Sequence, residues 1–126
     1  TVPGKARVLI VEDEPAVRAL ALEMLAELGC STMEAVDGQS ALDLLKAQGP
    51  IDLLVTDIGL PGMNGRQLAD AARLTRPELK VLFMTGYAHD AKVREGLLAE
   101  GMEMITKPFS FQTLTSRVSA MIGGAG

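Results

Sequence analysis

Apolar and polar positions along this chain fall into two kinds of run that take turns, and the turn-taking predicts an architecture. Arg7 to Val11 (RVLIV) is short, branched and continuously apolar, is closed by three acids, Glu12, Asp13 and Glu14, and reads as a buried strand. Pro15 then suits the first turn of a helix in which Val17, Leu20, Ala21, Met24, Leu25 and Leu28 recur at helical spacing until Gly29 stops it. The pattern repeats. STMEAV predicts a weak strand, GQSALDLLKAQ a helix with Ala41, Leu44 and Leu45 inward, and DLLVT a third strand. Asn64 can cap a further helix with Gln67 at its third position, a capping-box spacing, and Leu68, Ala71, Ala72 and Leu74 give that helix an apolar side. KVLFM predicts a strand, residues 88–99 a helix weakened by Gly96, and MEMIT a last strand. Ser110 caps a final helix with Phe111, Leu114, Val118, Met121 and Ile122 on one face.

Five strands alternating with five helices imply an α/β fold, a doubly wound five-stranded parallel sheet with helices on both faces. Strand texture hints at the order. VLIV, LLV and VLFM are apolar throughout, as strands covered on both faces should be, whereas STMEAV and MEMI interleave polar residues and belong at the edges. The flavodoxin-like order 2-1-3-4-5 satisfies this, as do a few others.

Composition narrows the function. The 126 residues suit one domain, with a core over about residues 7–122 and linker-like ends at 1–6 and 123–126, and 48% of them are hydrophobic. A net charge of −4 with no block of Lys or Arg argues against a nucleic acid or an anionic membrane surface as partner. No apolar stretch approaches a membrane span, and the single cysteine, Cys30, excludes an internal disulfide and fits a cytoplasmic setting. The seven methionines fall mainly at predicted core positions; Met63, in a loop, is the one expected to be exposed. His89, the only histidine, reads as a solvated residue near a helix start.

The chemistry collects at the strand ends. Parallel strands share one carboxyl rim, and here that rim carries Glu12 and Asp13, Asp57, Thr85, and Lys107 followed by Pro108. Taken singly, each has an ordinary explanation: helix N-terminal acids, a turn-capping aspartate, a β-branched strand residue, a solvated lysine. Taken together, carboxylates gathered across the crevice between the first and third strands would repel one another unless a hard cation such as Mg2+ joined them. An aspartate can act as a nucleophile toward phosphorus, with Mg2+ and the Lys107 ammonium neutralising the phosphoryl oxygens and the Thr85 hydroxyl donating to one.

The same residues carry a resemblance. VLIVEDEP, VTDIGLPGMNG, FMTGYA and ITKPF resemble, in order and spacing, the motifs of receiver domains in the response-regulator family of bacterial two-component signalling, from Arg7 to about Ile122. The resemblance implies Asp57 as the phosphoacceptor (4-aspartylphosphate), Glu12 and Asp13 as the acidic pair holding Mg2+, and the Gly59 backbone carbonyl as a further ligand. It implies Thr85 as the switch hydroxyl and Lys107 as the phosphoryl-binding cation, with Pro108 in a cis peptide. The implied partner is a histidine kinase or phosphotransfer domain, with an output surface near the 88–99 helix, the fifth strand and the last helix.

Two departures stand out. Met104 occupies the position, three before the lysine, where many receivers carry an aromatic switch residue, and Tyr87, in a TGY sequence, resembles a subset often attached to histidine kinases, so the parent chain is a candidate hybrid kinase. A flavin-binding protein of the same architecture is disfavoured, since EDEP would repel a phosphate and only 3% of residues are aromatic. A Mg2+-dependent phosphohydrolase working through an aspartyl-phosphate is the enzymatic alternative. Such enzymes usually carry a second acid two residues past the nucleophile, where this chain has Gly59.

Overall fold

Five parallel strands lie side by side in the order β2-β1-β3-β4-β5, the flavodoxin-like order expected and one of the few that strand texture allows. The computed structural model describes residues 6–86 and 99–123. In chain order the elements are β1 (Arg7–Val11), α1 (Pro15–Leu28), β2 (Ser31–Ala35), α2 (Gly38–Ala47), β3 (Leu53–Asp57), α3 (Gly65–Thr75), β4 (Lys80–Thr85), β5 (Met102–Thr106) and α4 (Phe111–Gly123). The described residues thus hold four helices; the further helix expected over residues 88–99 falls outside them except for its last residue, Ala99, and Tyr87 and His89 lie outside them too. Among the described residues, no helix is long and apolar enough to cross a membrane.

Alternation of side chains along each strand sends one set of residues to each face of the sheet. Leu9, Val11, Leu54, Val81, Phe83 and Met104 pack with Ala41 and Leu45 of α2 and Leu68, Ala69 and Ala72 of α3. Val8, Ile10, Leu53, Val55, Leu82, Met84 and Ile105 pack with Ala21, Met24 and Leu25 of α1 and Leu114, Val118 and Met121 of α4. The central strands are covered on both sides, which is why their sequences show no polar alternation.

Helix ends form where the residues predicted them. Asn64 accepts from the Gln67 N–H at 2.8 Å while the Gln67 side chain accepts from the Asn64 N–H at 2.9 Å. Ser110 Oγ accepts from the Thr113 N–H at 3.0 Å. Gly29 ends α1 in the left-handed region, at φ 101°, where a side chain would be strained.

Three expected core positions turn outward or half outward. Leu74 is 84% exposed because it lies on the far side of α3 from Leu68 and Ala72, and Ala69 packs inward instead. Leu20, 46% exposed, sits about 100° round α1 from Ala21, at the flank of the buried stripe. Phe111, the first residue of α4, is 45% exposed. Conversely, Met63 is not free in solvent: it is half-buried and packs against the α2–α3 face of the core.

Candidate functional site

The rim at the carboxyl ends of β1, β3 and β5 brings Glu12, Asp57 and Lys107 together for a reason visible in the strands. Each continues the series facing α1 and α4: Val8 and Ile10 lead to Glu12, Leu53 and Val55 to Asp57, and Ile105 to Lys107. Lys107 Nζ lies 3.0 Å from Glu12 Oε1 and 3.2 Å from Asp57 Oδ1, so one ammonium bridges two carboxylates. Glu12 is 1% exposed and Asp57 8%, whereas Asp13 is open to solvent.

Glu12 is held at every polar atom. Its N–H donates to the Ala35 carbonyl at 3.1 Å, and its own carbonyl accepts from the Arg18 guanidinium at 2.8 Å. Its carboxylate takes Lys107 on one oxygen and the Glu14 N–H on the other, at 3.2 Å. Burial nevertheless pushes its carboxyl above the ordinary 4.5, opposed by the hydrogen bond from Lys107 and reinforced by the charge of Asp57. For Lys107, burial works to depress the ammonium, but the hydrogen bond to Glu12 and the charge of Asp57 prevail and raise it above 10.5.

Glu12, Asp13 and Asp57 each offer a carboxylate oxygen, and these oxygens lie within 4.8 Å of one another. An all-oxygen donor set of this charge fits a hard divalent cation such as Mg2+ better than it fits a soft metal.

Around this centre the other expected residues take distinct places. Gly59 lies two residues on in the loop, and a Cβ built on it would stand 4.0 Å from Asp57 Oδ2, at ordinary contact distance from the carboxylate. Thr85 is 3% exposed, ends the β4 series of Val81 and Phe83, and meets the site through its carbonyl, which accepts from the Lys107 N–H at 2.9 Å. The Lys107–Pro108 peptide is cis, as the resemblance implies. Met104 is buried beside Phe83 in the core, on the face away from the carboxylates. Tyr87 lies outside the described residues.

Two features of the site escaped sequence reasoning. Arg18, which the helical pattern of α1 does not single out, reaches back to the Glu12 carbonyl and pairs with Glu34 of β2 at 2.9 Å. A lone cation one turn past a block of acids was the available signal. The second is the seating of the loop after Asp57: Met63 presses on Gly38, where a Cβ would come within 2.9 Å of its sulfur, and a Cβ on Gly65 would collide with the Asp57 carbonyl.

Comparison with known proteins places this geometry in context. A family model described as the response regulator receiver domain matches residues 8–119. The chain is 37% identical over 120 residues to the sensor kinase CckA of Brucella abortus, covering 94% of this chain and 13% of that protein. It is 31% identical over 116 residues to the response regulator receiver protein CpdR of the same organism, covering 92% of this chain and 96% of that one. Among solved structures, the receiver domain from the hybrid histidine kinase CckA superposes with a TM-score of 0.79 at 35% identity, covering 93% of this chain and 99% of that domain.

Proposed function

This chain belongs to the response regulator receiver domain family, and from that premise we propose that it takes a phosphoryl group onto Asp57 from a histidine kinase or phosphotransfer domain, in a Mg2+-dependent reaction. The observation that carries the reading is the bridge from Lys107 to both Glu12 and Asp57, beside three carboxylate oxygens within 4.8 Å of one another. A lone buried acid needs only a counter-ion. A nucleophile toward phosphorus needs a cationic surface around it and an open line of approach.

In the proposed reaction an Asp57 carboxylate oxygen attacks phosphorus in line with the departing imidazole nitrogen of a phosphohistidine, the P–N bond breaks, and an acyl phosphate remains on Asp57. Lys107, already within reach of Asp57, pairs with a phosphoryl oxygen and offsets the charge that arrives. Glu12, fixed at all its polar atoms, and Asp13, exposed beside it, would hold Mg2+ with Asp57 and the Gly59 carbonyl. When bound, the metal supplies charge neutralisation at the phosphoryl oxygens. Thr85 is proposed as the hydroxyl that engages the phosphoryl group, and Tyr87 as the aromatic that covers it. Met104, buried in the core where many receivers carry an aromatic, is proposed as the remaining switch position.

A groove of about 290 Å3, lined by Glu14, Val17, Leu20, Lys107, Pro108 and Phe109, opens beside the site and gives a donor protein a partly apolar place to rest. Signalling would then leave by β5, α4 and the 88–99 segment. The parent protein is proposed to be a phosphorelay component of the cytoplasm, and the likeness to CckA makes a hybrid kinase the favoured parent.

Intact-mass measurement tests this reading. Incubation with acetyl phosphate and Mg2+ should add the mass of one phosphoryl group, and the Mg2+-free sample should stay unmodified. Multiple turnover of external phosphomonoesters would instead make the chain a hydrolase.

A further inference from the structure

Arg18 stands outside the set of residues that a phosphoryl group or a metal would touch, yet its guanidinium spans the elements that fix the acidic pair. One nitrogen donates to the Glu12 carbonyl at 2.8 Å, and another pairs with Glu34 of β2 at 2.9 Å. Its side chain is 16% exposed, while that of Glu34 is 55% exposed. The carbonyl it holds is the peptide link between Glu12 and Asp13, so whatever turns that peptide turns Asp13 relative to Glu12. Asp13 itself is exposed at the start of the turn into α1, and its other peptide is tied by the Glu14 N–H on the Glu12 carboxylate, so Arg18 holds the one side of Asp13 that this bond leaves to it.

We propose that Arg18 is a positioning residue for the cation site: by gripping the Glu12–Asp13 peptide from α1, it sets the angle at which Asp13 joins Glu12 and Asp57. This rests on the reading of those three carboxylates as a Mg2+ site.

Two physical effects of Arg18 oppose one another, which makes the inference testable. A guanidinium near the acids repels an arriving cation, so deleting its charge would strengthen binding; releasing the peptide it holds would weaken binding. Arg18 and Glu34 neutralise each other, so a variant lacking both charges isolates the second effect. Arg18→Met with Glu34→Gln keeps the net charge and most of the aliphatic stem while removing the grip.

The experiment is an amide NMR titration with Mg2+, which reports affinity and an intact fold in the same spectra, run at low salt and again in about 0.5 M KCl to screen residual charge effects. The paired variant should bind Mg2+ about tenfold more weakly than the parent, the range usual for outer partners of metal ligands, and the loss should persist in high salt. Glu34→Gln alone, which leaves Arg18 on the carbonyl, should change affinity by about twofold or less. Arg18→Lys, which retains a cationic donor, should recover most of the loss. Affinity equal to the parent's in the paired variant, or a loss that vanishes in high salt, overturns the role given to Arg18 while leaving the site intact. A parent that binds no Mg2+ overturns the functional reading and this inference with it.

Discussion

Lys107 Nζ stands 3.0 Å from Oε1 of Glu12, a residue only 1% exposed, and 3.2 Å from Oδ1 of Asp57, so this lysine lies nearest the more deeply buried of its two acids. That changes what the lysine does before any phosphoryl group arrives. It makes the burial of Glu12 tolerable, and its bond to Asp57 at 3.2 Å is the one that an incoming phosphoryl oxygen would replace.

Removing Lys107 should therefore destabilise the free protein in a pH-dependent way. Lys107→Ala is expected to cost about 2 kcal/mol near neutral pH, because an ionised carboxylate is left buried without its cation. Since burial raises Glu12 above 4.5, the folded state binds its proton more tightly than the unfolded chain does. The Glu12 contribution is then best below pH 4.5 and is lost as pH rises through the raised folded value. Without Lys107 that folded value climbs further, so the deficit should shrink as pH falls toward 4.5. Urea denaturation across that range checks it; a deficit that grows on acidification would be inconsistent.

Asp13 should matter to the metal and not to the fold. It is exposed and adds negative charge to a cluster that already repels itself. Asp13→Asn is expected to leave the Tm of the metal-free protein equal or slightly raised, and to abolish most of the Tm increase that Mg2+ gives the parent. Thermal melts with Mg2+ and with chelator provide the comparison, and a full Mg2+ response in the variant would exclude Asp13 as a ligand.

The loop that follows Asp57 is seated by two glycines, and both should resist alanine. Gly65→Ala would drive a Cβ into the Asp57 carbonyl and Ile58 Cα, backbone atoms that cannot step aside, and should cost about 3 kcal/mol. Gly38→Ala ought to favour α2 on propensity alone, yet its Cβ would press on Met63 Sδ, Cβ and Cγ at 2.9, 3.0 and 3.2 Å. A net loss of about 1 kcal/mol is expected, shrinking in a Met63→Ala background. Additive effects at positions 38 and 63 would show that the two do not touch.

These contacts also mark where sequence reasoning ended. Which strands are central and which lie at the edges was legible because covering decides polarity: LLV and VLFM are covered on both faces, and STMEA and MEMIT border the edges, while the choice among the few orders this allows leaned on the family resemblance. The rim was legible because parallel strands end together, which sufficed to group Glu12, Asp13, Asp57 and Lys107. Leu74 misled because an apolar residue on a short helix was counted by type, although its angle sends it to solvent. Met63 was misplaced and Arg18 passed over for related reasons: one fills a space left by a glycine, the other bonds to a backbone carbonyl, and residue type alone fixes neither contact.

The central claim is that the phosphoryl group resides on Asp57 and arrives only with a divalent cation. Reductive trapping reads this directly: after incubation with acetyl phosphate and Mg2+, borohydride converts an aspartyl phosphate to homoserine, and peptide mass mapping locates it. The expected result is homoserine at position 57 alone, absent in excess chelator and absent in Asp57→Asn. Trapping at another carboxylate, or undiminished trapping at position 57 in chelator, would contradict the mechanism.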